Sequence, residues 1–204
     1  MVISGLASHP MGSWQPHGQE KSFMWIRDAL PNRLSGSRFI LYGYDTTLPR
    51  SKSFQTIPDL AVSLISELKA GGWTSLSAKP LAFLAHSLGG VVLKQTLVLL
   101  AGSGEREKHI LSIIKGAVFF GVPSRGMNVP DIYEMLGDQP NRVLIDDLSD
   151  QSDYVQNLEE QFMGISYVRS MKLFWAYETK KTPSLLVSQL SSNSNSSADK
   201  FLAV

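Results

Sequence analysis

The 204-residue sequence contains no cysteine, which excludes disulfides and cysteine-ligated metal sites and leaves the compartment open. Excess charge of either sign is missing: 19 Lys and Arg balance 18 Asp and Glu, for a formal net charge of +1. That balance gives no pull toward nucleic acid or an anionic membrane. Long apolar runs are also lacking. The richest, over 91–101, is interrupted by Lys94, Gln95 and Thr96, and it falls short of the roughly 18 residues that a membrane-spanning helix needs. No basic stretch ahead of a long apolar segment opens the chain, so no secretory signal is visible and a soluble intracellular protein is expected. Histidine is rare, at His9, His17, His86 and His109, with none beyond.

What is present is ordinary globular composition, 43% hydrophobic and 18% charged, in a length suited to one α/β domain with a real core. Val2 and Ile3 read as the end of a strand running into a glycine-bearing loop, Ser4-Gly5-Leu6-Ala7. Phe23, Trp25, Ile26 and Leu30 suggest a short helix ended by Pro31. Residues 38–42 read as a strand leading to Gly43-Tyr44-Asp45. Ile57, Leu60, Ala61, Leu64, Ile65 and Leu68 form one apolar helical stripe, stopped by Gly71 and Gly72. Residues 81–85 are a short, continuous apolar strand, and 88–101 a helix apolar on most sides and therefore packed deep.

Further strands are predicted over 116–120, 171–177 and 185–190, and partly exposed helices over 132–136 and 153–163. The Ser/Asn-rich stretch 191–204 reads as a disordered tail, leaving 1–190 as a single domain. Alternating strands and helices, with interior strands that are continuous apolar runs, predict a mostly parallel sheet with helices on both faces. Right-handed connections then put the active loops at the C-terminal ends of the strands.

One segment carries a chemistry argument. In 81–90 a buried strand ends, Ser87 sits on a sharp turn, and a helix begins at once. That is the pattern of a nucleophile elbow, in which a serine on a strained turn lifts its hydroxyl above the sheet. Small residues are needed two positions either side of the serine, and Ala85 and Gly89 meet the need. Gly90 lets the helix come close to the neighbouring strand. The helix N-terminus offers backbone N–H groups suited to a developing oxyanion, first that of Leu88, with the amide of Leu6 as the second donor.

At these residues the sequence resembles the serine-active-site-containing family of lipase/esterase-like α/β-hydrolases, especially fungal members found ahead of nucleotide-binding (NACHT) or ankyrin-repeat regions. The matching stretches are 4–10, Trp25-Ile26-Arg27-Asp28-Ala29-Leu30-Pro31, 38–45, 85–90, Phe119-Phe120-Gly121-Val122-Pro123-Ser124-Arg125-Gly126, and Tyr177-Glu178-Thr179. They fall in order across nearly the whole chain. The resemblance implies an α/β-hydrolase fold acting on an ester, lipid esters included, with Ser87 as nucleophile and Glu178 as the candidate acid. It implies no cofactor and no metal. Membership also allows a mitochondrial or endoplasmic-reticulum address beside a cytoplasmic one.

Four departures from the family pattern stand out. Ser4 and Ser124 occupy positions where the family has histidine, Ala85 replaces a glycine, and no histidine follows Glu178. A serine hydroxyl is a poor nucleophile at neutral pH without a base. His86 is expected to point away from so tight a turn, and His109 to lie near the opposite edge of the sheet. His9 and His17 sit in the loop on the oxyanion side. The rival reading is therefore a non-catalytic hydrolase-fold module for binding or interaction. The very short first strand, and a Ser/Asn-rich stretch where a histidine loop should stand, give the expectation of a domain truncated at both ends.

Three weaker signals read as structural. Residues 102–107 lack the Gly-Lys-Ser/Thr ending of a phosphate loop and are expected to form a surface turn. Asp146, Asp147 and Asp150 are expected on an exposed helix end and read as a solvated acidic face. Asn195-Ser196-Ser197 is a chance glycosylation match in a chain without a visible signal.

Overall fold

Adjacent residues of a strand face opposite sides of a sheet, and the sequence uses this strictly. In the computed structural model, which describes residues 1–15, 23–45, 47–48, 51–136 and 138–177, Val2 and Ile3 belong to separate apolar clusters. Ile3, Phe83, Ala85, Ala117 and Phe119 join the large cluster on one face. Val2, Leu84 and Phe120 join Trp14, Met24 and Ile26 on the other.

Among the described residues the sheet has five strands, β1 (Val2–Ile3), β2 (Leu41–Tyr42), β3 (Leu81–His86), β4 (Ile114–Phe120) and β5 (Lys172–Ala176), in the order β2-β1-β3-β4-β5. Every pairing is parallel. Short as it is, β1 lies inside the sheet between β2 and β3, with Ile3 beside Tyr42 on one flank and Ala85 on the other. The fold is therefore α/β with a parallel sheet and helices on both faces, as the alternation predicted.

The large cluster is covered by α3 (Ile57–Ala70), α4 (Leu88–Gly102), α5 (Glu105–Ile113), α7 (Arg142–Leu148) and α8 (Asp153–Gly164). Helix α3 begins where expected because Thr56 and Asp59 form a reciprocal capping box. It presents Ile57, Leu60, Ala61, Leu64 and Leu68 inward. Helix α4 buries ten of its fifteen residues, so it is a core helix without a polar stripe. The second face is covered more thinly, by α1 (Trp25–Asp28) and the short helical turn carrying Trp14.

Some boundaries differ from those predicted. Pro31 does not end the helix: α1 stops at Asp28, and Pro31 sits in the first turn of a separate α2 (Leu30–Arg33), where its missing N–H is harmless. The regular strand near 38–42 is confined to Leu41–Tyr42, although Val2 N–H also donates to the Ile40 carbonyl at 2.8 Å. The surface turn proposed for 102–107 continues from Glu105 into α5, and α7 carries Asp146 and Asp147. Helix α6 (Pro130–Leu136) lies over the span expected. Residues 185–190 and 191–204 lie outside the described residues. Among the described residues no helix is long and apolar enough to cross a membrane.

Leu64 is fully buried while Val62, two residues earlier on the same helix, is 54% exposed. Leu64→Ala is expected to lower stability by about 2–5 kcal/mol, and Val62→Ala to change it by less than about 0.5 kcal/mol. Urea unfolding of the two variants measures both.

Candidate active site

All five strands run the same way, so loops leaving their C-terminal ends meet along one edge of the sheet. Ser87 stands on that edge, between the last residue of β3 and the first of α4. Its backbone has φ +51° and ψ −125°. Such a conformation costs a non-glycine residue on the order of 1–3 kcal/mol and persists only when its surroundings over-determine it. Here they do. The Ser87 N–H donates to the Phe120 carbonyl at the end of β4, and the Ser87 carbonyl accepts from the Gly90 N–H, both at 2.9 Å.

Three glycines let backbone come up against this turn. A Cβ on Gly5 would lie 2.8 Å from both the Ser87 Cβ and His86 Nδ1. One on Gly89 would run into the Ser4 carbonyl oxygen, and one on Gly90 into the Val122 side chain. Ala85 is fully buried beneath the turn. The first turn of α4 thus rests directly on the end of β1 and on the loop after β4.

The loop after β1 reaches Ser87 through Gly5 and carries Leu6, which is half-buried. Beyond Leu6 the chain reverses at Ala7, whose φ is +51°. The loop is pinned by the Ser8 hydroxyl, which donates to the Gly5 carbonyl at 2.6 Å, and by Tyr44, which donates to the Ser4 carbonyl at 2.9 Å. Leu88 heads α4 with its side chain wholly in the core, and the amides of a first helical turn have no partner within the helix. Leu88 thus follows Ser87 directly, and the loop that carries Leu6 approaches Ser87 through Gly5.

Three of the four histidines fall among the described residues. His86 is 8% exposed, and its ring packs edge-on against Trp14 at 6.3 Å, on the face of the sheet opposite α4. His9 is exposed, with Nδ1 accepting from the Met11 N–H at 3.2 Å. His109 sits on α5, just ahead of the N-terminal end of β4, with Nε2 3.0 Å from the Ser75 carbonyl oxygen. That is the sheet edge away from Ser87. His17 and Glu178 lie outside the described residues. Among the described residues no group of three or more His, Asp or Glu is placed to hold a metal ion.

One buried group was not foreseen. Lys94, read in the sequence only as a polar interruption, is 1% exposed in the middle of α4. Its Nζ donates to the Ser124 hydroxyl at 2.6 Å and pairs with the Glu159 carboxylate. The rings of Phe119 and Phe162 lie 5.2 and 5.5 Å from it. Burial pushes the ammonium below its ordinary range and Glu159 pushes it back up. A lysine seven residues after the turn serine, on the same helix, is the only sequence signal that could have drawn attention to it.

No family model matches the chain. The chain is similar to Protein SERAC1 of Mus musculus. The two are 22% identical over 207 residues, which make up 89% of this chain and 30% of SERAC1. The chain thus spans less than a third of that relative's length. Among solved structures it is similar to the Bacillus licheniformis lipase BlEst2 in its mature form, with a TM-score of 0.48 and 12% identity over 69% of this chain and 56% of the lipase.

The glycine packing gives a direct test. Gly90→Ala is expected to destabilise the fold by about 1–3 kcal/mol, with much of the loss recovered in the Gly90→Ala, Val122→Ala double variant, because the obstacle is a side chain. Gly89→Ala meets backbone and finds no such rescue. Thermal unfolding of the four variants, the single Val122→Ala included, separates the two cases.

Proposed function

We propose that this chain is an α/β-hydrolase-like domain that cleaves a carboxylic ester, with lipid esters as the class to test first, through Ser87 as nucleophile. The observation that carries the reading is the Ser87 backbone, φ +51° and ψ −125°, at a strand-to-helix turn on the C-terminal edge of a parallel sheet. A strained serine so placed presents its hydroxyl clear of the sheet. The order of the motifs shared with the serine-active-site-containing hydrolases supports the same reading.

In this reaction the Ser87 Oγ forms a bond to the ester carbonyl carbon while its proton leaves to solvent or to an external base such as free imidazole. The carbonyl π pair moves to oxygen, and the oxyanion is held by the Leu6 and Leu88 N–H groups. Collapse breaks the C–O bond to the alcohol, which takes up a proton, and leaves an acyl-serine. Water then attacks the acyl-serine, releasing the acid and restoring the hydroxyl. Glu178 is the candidate acid.

A second reading, a hydrolase-fold module that binds without turning over, is favoured by the contacts of the three described histidines. His86 packs on Trp14, His9 accepts from Met11, and His109 lies at the far edge of the sheet. A serine site without an imidazole retains only about 10³–10⁴-fold assistance from binding and the oxyanion donors.

A fluorophosphonate probe separates the readings. The hydrolase reading expects labelling of the 204-residue chain that is slow, is lost in Ser87→Ala, and is accelerated by added free imidazole. Folded protein that takes up no probe, with or without imidazole, supports the binding module instead.

A further inference from the structure

A lysine is among the least favourable side chains to bury, because removing an ammonium from water costs several kcal/mol that a single ion pair does not reliably return. Lys94 is nevertheless buried in the core-facing side of α4. An apolar residue of similar length would have filled the space. The position of its partners explains what the charge does there. Glu159 comes from α8, and Ser124 from the loop after β4.

That loop touches the serine turn at two points. It leaves β4 at Phe120, whose carbonyl accepts the Ser87 N–H. It then places Val122 against Gly90, in the first turn of α4. The loop is bent by tight local bonds, Ser124 N–H to the Val122 carbonyl at 2.9 Å and Gly126 N–H to the Pro123 carbonyl at 3.1 Å, with positive φ at Gly121 and Gly126. Ser124, in the middle of this bend, is held by Lys94.

We propose that Lys94 is a positioning residue for Ser87: anchored by Glu159 and resting over the adjoining rings of Phe119 and Phe162, it tethers the loop after β4 through the Ser124 hydroxyl and so fixes the position of the serine turn. The inference rests on the nucleophile reading for its effect on reactivity, and on geometry alone for its effect on the loop. The charged hydrogen bond is directional, which an apolar filler is not. The two aromatic faces restrict where Nζ can sit, so a long flexible side chain acts as a rigid strut.

Two readouts on the 204-residue chain test this, in Ser124→Ala, Ser124→Thr, Lys94→Met and the Lys94→Met, Ser124→Ala double variant. Hydrogen exchange of the backbone over 121–127 reads the tether. The rate of fluorophosphonate labelling reads the position of Ser87. Ser124→Ala, which removes only a half-buried hydroxyl, is expected to speed exchange in the loop and slow labelling about tenfold, the order expected for one charge-assisted hydrogen bond. Ser124→Thr keeps the hydroxyl and is expected to retain wild-type behaviour. The double variant is expected to be no worse than Lys94→Met, since one bond is lost in both.

A Ser124→Ala variant with wild-type loop exchange overturns the proposal. So does faster exchange with unchanged labelling, because the loop would then be tethered without bearing on Ser87. If wild-type protein takes up no probe even with imidazole, the nucleophile reading fails and loop exchange alone decides the tether. In that case faster exchange in Ser124→Ala, restored in Ser124→Thr, upholds it. Should Lys94→Met fail to fold, the two Ser124 variants still give the answer.

Discussion

Everything at the C-terminal edge of this sheet depends on a serine held in a backbone conformation that it would not choose. Ser87 cannot relax because its N–H is committed to β4 and its carbonyl to α4. The strain of order 1–3 kcal/mol is borne by contacts that only glycine permits. Gly5 and Gly89 bring the loop after β1 and the first turn of α4 together at close range, and Gly90 admits the Val122 side chain of the loop after β4. A side chain at any of them separates what the turn needs held together. The strain therefore belongs to the whole edge of the sheet, and the strand order is what brings the edge together.

That strand order is in turn a consequence of two-sided burial. Because β1 lies between β2 and β3, its two residues must be apolar on both faces, and Val2 and Ile3 are. The loop that follows then emerges beside the end of β3, which is how Gly5 meets Ser87 although 82 positions separate them in the chain. Helix α4 buries almost its whole circumference, so it cannot shift to accommodate change at the turn without disturbing the core on several sides.

The parts legible in the sequence are those in which local pattern and tertiary role agree. The stripe of α3 and its Thr56–Asp59 cap, the continuous apolar strands β3 and β4, and the abrupt strand–serine–helix turn each carry a local signature that packing reinforces. Helix α5 was not legible, and α7 was visible only as a helix end carrying Asp146 and Asp147. The first opens with Glu105, Arg106, Glu107 and Lys108 and buries only Ile110, Leu111 and Ile113; the second is only seven residues long. Pro31 misled because proline both ends helices and begins them, and only the break at Ala29 decides which. Of the site, the turn residues could be named from the sequence. The packing of His86 against Trp14 and the convergence on Lys94 could not, because both depend on partners brought in by other elements.

Lys94 shows why hydropathy alone misplaces such a group. Within 91–101 it breaks an apolar run, and a break reads as exposure. Burial becomes tolerable only because α8 supplies a carboxylate, β4 and α8 supply ring faces, and the loop after β4 supplies a hydroxyl. None of these is a neighbour in sequence. A charge kept in the core at such cost is better understood as specifying an arrangement than as adding stability. The arrangement it specifies is that of α4, α8 and the loop after β4. Two of these three elements also fix Ser87: α4 through the Gly90 N–H, and the loop after β4 through the Phe120 carbonyl at its base. The strained turn and the buried cation are thus two ends of the same helix-to-loop contact. A change at either is expected to be felt at the other, even where no side chain of one touches the other.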